Sequence, residues 1–137
     1  MKSCTIIITL LVSITLNSFG QASDGRVSSL VSAENYFAAK AKENGIRVGF
    51  LKVSDNETLV FRPKRVKAKD FYSKKQINPG ELIWEPTYAR ISRSGDWGFT
   101  SGPYIYTAFS DSLKSYGQYL SIWRADRRGI WKLALDI

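Results

Sequence analysis

The sequence predicts an α+β domain in which a strongly curved antiparallel sheet wraps around N-terminal helices to make a cone-shaped barrel. Three observations carry this reading. The first half of the chain has helical periodicity. From Gly80 to Ile137, β-branched and aromatic runs are broken by Ser94-Gly95-Asp96, Ser110-Asp111-Ser112 and Arg127-Arg128-Gly129, which reads as four long antiparallel strands. The 137 residues are 44% apolar and 13% aromatic, enough for the packed core of one domain. Helices gathered on one face of a bent sheet leave a pocket at the open end of the cone, and such pockets are lined by apolar and aromatic groups with a few polar ones.

Between Asp24 and Asn44, the residues Val27, Leu30, Val31, Phe37, Ala38 and Ala41 recur at three- and four-residue spacing, which predicts a helix with Asp24 as its N-cap and Asn44-Gly45 as its stop. Glu34 reads as a surface acid of this helix. Ile46, Phe50 and Val53 share a face of a second, shorter helix that Ser54-Asp55-Asn56 ends. A short strand from Thr58 to Arg62 is halted by Pro63, which has no N–H to donate. The segment from Ala68 to Lys75 predicts a short helix with Phe71 inward, and Asn78-Pro79-Gly80 is a turn that opens the sheet.

The N-terminus is expected to be a targeting segment. Lys2 supplies a positive start, Ile6 to Leu16 is apolar, and Gly20-Gln21-Ala22 offers a signal-peptidase site with cleavage after Ala22. Residues 1-22 are then a signal peptide and 23-137 the exported domain, periplasmic or secreted. Cys4, the only cysteine, leaves with the signal, and the chain has no histidine. The mature protein therefore lacks the usual zinc ligands, the Ser-His-Asp arrangement and a thiolate nucleophile, so no metal and no cofactor are expected.

The formal charge of +8 favours anionic partners. Much of it lies in Arg62, Lys64, Arg65, Lys67, Lys69, Lys74 and Lys75, a run whose plain reading is a solvated face and whose sharper reading is a surface for an anionic polymer, with Arg124, Arg127 and Arg128 able to join it. Nucleic acid is disfavoured, since no recognition-helix, RNP or zinc pattern is present.

The segments Ser92 to Tyr104, reading SRSGDWGFTSGPY, and Gly117 to Asp136, with WR and GIWK, resemble the SnoaL-like branch of the nuclear transport factor 2-like superfamily. The resemblance covers nearly all of the mature chain and implies a cone-shaped α+β barrel with a cavity between helices and concave sheet. It does not supply a reaction, because the superfamily includes isomerases, dehydratases, cyclases and noncatalytic domains. Laid over the ketosteroid isomerase branch, Tyr36 matches the cavity tyrosine, Arg62 stands in place of the base and Ser121 in place of the second acid.

A guanidinium is no proton acceptor, so Tyr36, Arg62 and Ser121 are implied to grip a ligand rather than move its protons. Tyr119 and Trp123 share a strand face with Ser121 and join them as flat cavity walls, with ordinary core packing as the alternative. The leading reading is thus a small exported domain whose aromatic cavity binds a small molecule, anionic ones included. The alternative is a lyase, isomerase or hydratase with Glu85 or Asp96 as base; Asp96 is more simply a turn former, and Glu85 lies on the face opposite Trp84 and Tyr88. Leu120 and Ile122 on the convex face would need a cover, and the resemblance implies a homodimer through that face.

Overall fold

The structure, a computed structural model, describes residues 19–74 and 80–137, with side chains from Gly25 onward. The expected signal segment lies outside the described residues except for its last four, and so does Asn78-Pro79 of the expected turn. No helix among the described residues is long and apolar enough to cross a membrane.

Helix α1 spans Phe19–Asn44. Its backbone is already helical at Asp24, which is therefore an interior residue and not the N-cap. Gly45, at φ 88°, reverses the chain into α2, Ile46–Val53, a conformation that glycine adopts without the usual Cβ penalty. Strand β1, Ser54–Phe61, starts directly at the end of α2 and is longer than the Thr58–Arg62 strand expected. It pairs with β2, Arg65–Lys67, a strand the sequence reading missed. Helix α3 follows at Ala68–Ser73. Tyr72 is its fully buried aromatic, while Phe71 is half-buried beside it.

The C-terminal half forms β3 (Gly80–Trp84), β4 (Tyr88–Ile91), β5 (Trp97–Ala108), β6 (Lys114–Ala125) and β7 (Trp131–Asp136). All three predicted turns between the strands are present. The first long strand, however, is two strands: Glu85–Thr87 breaks away from the ladder, and β3 and β4 pair separately with β5. Gly102 on β5 faces this break, and a Cβ there would run into the Glu85 carbonyl oxygen and sit 3.1 Å from the Thr87 nitrogen. Only a residue without a side chain lets the crossing chain pass so close.

The sheet order is β2-β1-β7-β6-β5-β3, with β4 also on β5. The strands β3 to β7 pair antiparallel as expected, but β1 joins β7 in parallel, so the curved sheet is mixed. The helices pack into its concave side, where Leu30, Phe37 and Ala41 of α1, Phe50 and Val53 of α2, and Trp123 and Leu133 of the sheet form one core. This is an α+β cone: helices first, then a sheet curved around them.

One irregularity decides what the last strand presents. Ser121 pairs with Asp136 and Ile122 with Leu135, but Trp123 pairs with Leu133, so Ala134 is an extra residue on β7. A bulge of this kind shifts the side-chain alternation by one. Trp131 and Leu133 face the core, and beyond the bulge it is Asp136, not Leu135, that continues inward.

Candidate functional site

A cavity of about 530 Å³ opens between α2, α3 and the concave sheet. Its walls are aromatic. Phe37 meets Trp84 edge-on at 4.7 Å and Phe50 at 4.8 Å, and Phe50 stacks on Tyr72 at 4.1 Å with 13° between the rings. Besides the tyrosines of the wall, polar side chains reach the cavity from two places: Arg62 with Asp136, and Ser115 with Gln118.

Arg62 and Asp136 form the charged feature of the wall. The guanidinium Nη2 donates to Asp136 Oδ1 at 2.6 Å, and Ser121 Oγ donates to Oδ2 at 3.2 Å. Arg62 also lies over the Phe50 ring at 5.6 Å and beside the Tyr72 hydroxyl. Asp136 is 6% exposed. Burial raises its pKa above the usual aspartate value, and the opposing pull of Arg62 and Ser121 does not cancel that rise.

One layer deeper, at the contact of α1 with the sheet, Glu34 is fully buried. Trp84 donates its indole N–H to Oε1 at 2.6 Å; Thr100 and Trp123 donate to Oε2 at 2.5 and 2.9 Å. No cation is among these partners. Burial raises the Glu34 pKa, the three donors pull it down, and the nearby Asp136 adds to the rise. Tyr119, 8% exposed, directs its hydroxyl into the space between Glu34 and the cavity. That hydroxyl is buried beside Thr100, whose own proton goes to Glu34 and whose oxygen is an acceptor within reach of the phenol. Burial, with Glu34 and Asp136 close by, raises the Tyr119 pKa, which keeps the phenol neutral.

The structure distributes the sequence-derived residues over three places. Arg62 and Tyr119 line the cavity. Ser121 and Trp123 are fully buried one layer behind it, where Ser121 holds Asp136 and Trp123 holds Glu34. Tyr36 is 49% exposed on the outer side of α1, with Lys40 over its ring at 5.8 Å, and does not line the cavity. Glu85 is exposed in the break between β3 and β4. Asp96 is exposed in the β4–β5 turn, where the hydroxyls of Ser92 and Ser94 hold it and lower its pKa.

Asp136 and Glu34 are the acids the sequence reading did not place inside. Glu34 carried a signal, since it stands four residues after Leu30 and three before Phe37, in the middle of the apolar stripe. Asp136 carried none, because its inward direction depends on the bulge at Ala134. Asp55 takes Arg124 at 2.8 Å and Glu57 takes Lys67 at 2.8 Å, which leaves Asp136 to Arg62. Among the described residues no cluster of acids is grouped as a metal site would require.

No family model matches the chain. No curated protein matches it either. Among solved structures, a conserved protein from Planctomyces limnophilus is similar over 82% of this chain and 94% of its own, at a TM-score of 0.63 and 14% identity. A ketosteroid isomerase-like protein from Erwinia carotovora is similar over 81% of this chain and 92% of its own, at 0.61 and 15%. A nuclear transport factor 2-like superfamily protein from Salmonella enterica is similar over 82% and 89%, at 0.61 and 10%. The fold is the nuclear transport factor 2-like fold. In this nuclear transport factor 2-like cone the cavity lies between the helices and the concave sheet, as the sequence resemblance implied. Similarity at these identities concerns the fold and not the chemistry.

Proposed function

We propose that this protein binds a small, ring-bearing molecule in the aromatic cavity and that its residues hold the ligand rather than transform it. The observation that carries this reading is the cavity itself. Its volume of about 530 Å³ suits a small molecule, and its walls are stacked aromatics that include the tyrosines Tyr72, Tyr104 and Tyr119. An apolar ring fills the space between Phe50, Trp84 and Tyr104, and a carbonyl or hydroxyl on the ring meets Tyr119. Arg62 and Asp136 neutralise each other in the wall, so the site accepts neutral ligands without leaving a buried charge unpaired.

The test is titration with N-phenyl-1-naphthylamine, a neutral fused-ring fluorophore. One saturable site is expected, weakened at least about tenfold by Leu82→Trp, which fills the cavity from β3. Absence of saturable binding, or binding indifferent to Leu82→Trp, refutes the reading. Mass spectrometry of molecules released from the purified protein then identifies the natural ligand.

A second reading, isomerase or lyase chemistry, is favoured by one observation: the cavity contains a carboxylate beside a neutral phenol. That carboxylate is Asp136, not Glu85 or Asp96, and to act as a base it has to leave Arg62. Deuterium exchange at the α-carbon of a bound cyclic ketone, abolished by Asp136→Asn, is the expected signature; no exchange above the buffer rate rejects it.

The setting we propose is the exported one, with residues 1-22 removed. The convex face is proposed to meet a second copy of the chain. There Trp97, Phe99, Leu120 and Ile122 line an apolar groove and Tyr88 packs on Phe99 at 5.7 Å. Sedimentation of Ile122→Lys beside the unaltered chain tests this, with loss of a dimer as the expected result. The basic stretch supports polymer binding less well. Arg62, Lys67 and Arg124 are already paired with Asp136, Glu57 and Asp55, and Lys69 is bonded to Asn56.

A further inference from the structure

Arg62 and Asp136 are the one cationic and the one carboxylic side chain that line the cavity among the described residues, and they are bonded to each other at 2.6 Å. An organic anion entering the cavity has only Arg62 to pair with. If Asp136 keeps its charge, two anions then share one guanidinium inside an aromatic enclosure, which low solvent access makes unfavourable. If Asp136 is protonated, the anion replaces it on Arg62 and the cavity stays neutral.

We infer that Asp136 is a competitor built into the binding site: the cavity takes ring-bearing organic anions, such as aromatic sulfonates or carboxylates, only as Asp136 takes up a proton, and takes neutral ring-bearing molecules at any pH. This rests on the cavity-binding reading above and names the charge class it selects.

The surroundings of Asp136 allow such an exchange. Ser121 holds Oδ2 and can bond either the carboxylate or the acid, so the side chain keeps its place when the charge goes. Burial already raises the Asp136 pKa. The other titratable groups facing it are Tyr72 from α3, Tyr119 from β6 and, behind them, Glu34 from α1. Both phenols are pushed up by burial and stay neutral through the physiological range. Glu34 is tied to three donors and lines no part of the cavity. Asp136 is therefore the group whose proton decides the charge opposite Arg62.

The experiment compares two dyes of the same ring system. 8-Anilino-1-naphthalenesulfonate carries a permanent negative charge, so any pH dependence belongs to the protein; N-phenyl-1-naphthylamine is its neutral counterpart. For the unaltered protein, the Kd of the sulfonate is expected to rise between pH 5 and 8, approaching about tenfold per pH unit above the Asp136 midpoint, the slope of one linked proton. The neutral dye shows no such slope. In Asp136→Asn, which keeps the hydrogen bonds to Arg62 and Ser121, the slope disappears and sulfonate binding at pH 8 tightens at least about tenfold. Arg62→Met loses the sulfonate preference at pH 5. A sulfonate affinity independent of pH while the neutral dye binds, or a slope that survives Asp136→Asn, overturns the inference and leaves the cavity reading standing. Failure of the neutral dye to bind removes both.

Discussion

The indole N–H of Trp123 on β6 meets the carboxylate of Glu34 on α1 at 2.9 Å, across 89 residues of sequence. With Trp84 and Thr100 on the same carboxylate, this contact ties the first helix to three strands of the sheet at the closed end of the cone. A buried acid with no cation is costly unless all its lone pairs are engaged, and here each donor in turn would be orphaned by the loss of the acid. The cluster therefore fixes how α1 sits in the sheet, and with it the position of Trp84 and Phe37 in the cavity wall.

Glu34→Gln tests that role. An amide has one oxygen, and either orientation turns its NH₂ toward an indole N–H, Trp84 in one case and Trp123 in the other. The Trp84 indole is orphaned in the first case, while in the second Trp123 keeps only its longer bond to Thr100 Oγ1 at 3.3 Å, so a loss of about 1–3 kcal/mol in denaturant unfolding is expected. Glu34→Leu orphans the Trp84 indole and the Thr100 proton and leaves Trp123 only its bond to Thr100 Oγ1, and is expected to cost more. Equal stability of Glu34→Gln and the unaltered chain would show that the acid is not what joins helix to sheet.

The same residue makes stability depend on pH. Its folded pKa is raised above the ordinary value of 4.5, so the folded state holds the proton more tightly than the unfolded state. The contribution is therefore full below pH 4.5 and lost as pH rises through the folded value. Asp136 acts in the same sense from 3.8 upward. Measured from pH 4 to 8, the stability deficit of Glu34→Gln is expected to be largest at the acid end and to shrink toward neutrality. A deficit that grows with pH would mean that Glu34 is stabilised as a carboxylate.

The overall plan was legible in the residues because the turn clusters at 94–96, 110–112 and 127–129 and the periodicity of the first helix are strong local signals. What was not legible depends on register. The bulge at Ala134 costs no unusual residue, yet it alone turns Asp136 inward. Likewise Glu85-Pro86-Thr87 reads as continuous strand, and only the close passage of β5 at Gly102 shows where the ladder breaks. Arg62 was placed near a cavity by the family resemblance alone, whereas its partner came from the far end of the chain. Tyr36 and Tyr119 have the same side chain and opposite fates. Tyr36 follows Glu34 by two positions on a helix and so points away from the core, while Tyr119 shares the inward face of a strand with Ser121 and Trp123.

Tyr119→Phe separates binding from stability. The change removes a buried hydroxyl whose neighbour Thr100 is already bonded to Glu34, so stability is expected to change by no more than about 1 kcal/mol. A ring-bearing ligand with a hydrogen-bonding group, 1-naphthol for example, is expected to bind several-fold more weakly, with N-phenyl-1-naphthylamine unaffected. If both ligands bind as before, the Tyr119 hydroxyl makes no contact in the cavity.

Gly102→Ala tests whether the break between β3 and β4 positions the cavity wall. The added methyl would press on the Glu85 carbonyl and the Thr87 nitrogen, both backbone atoms that no rotamer change can move aside. Thr87 N–H is bonded to the Ser101 carbonyl at 3.0 Å, so relief has to come by pushing the segment outward and stretching that bond. Trp84 precedes the segment directly and pairs with Tyr104, so the displacement reaches the indole that Glu34 holds at 2.6 Å. A destabilisation of about 1–3 kcal/mol is expected, as for overpacking elsewhere, together with altered near-ultraviolet circular dichroism from the tryptophans. The decisive readout is coupling: in Gly102→Ala the further cost of Glu34→Gln should fall, because the Trp84 bond is already weakened. Strict additivity of the two substitutions would show that the break and the buried acid act independently.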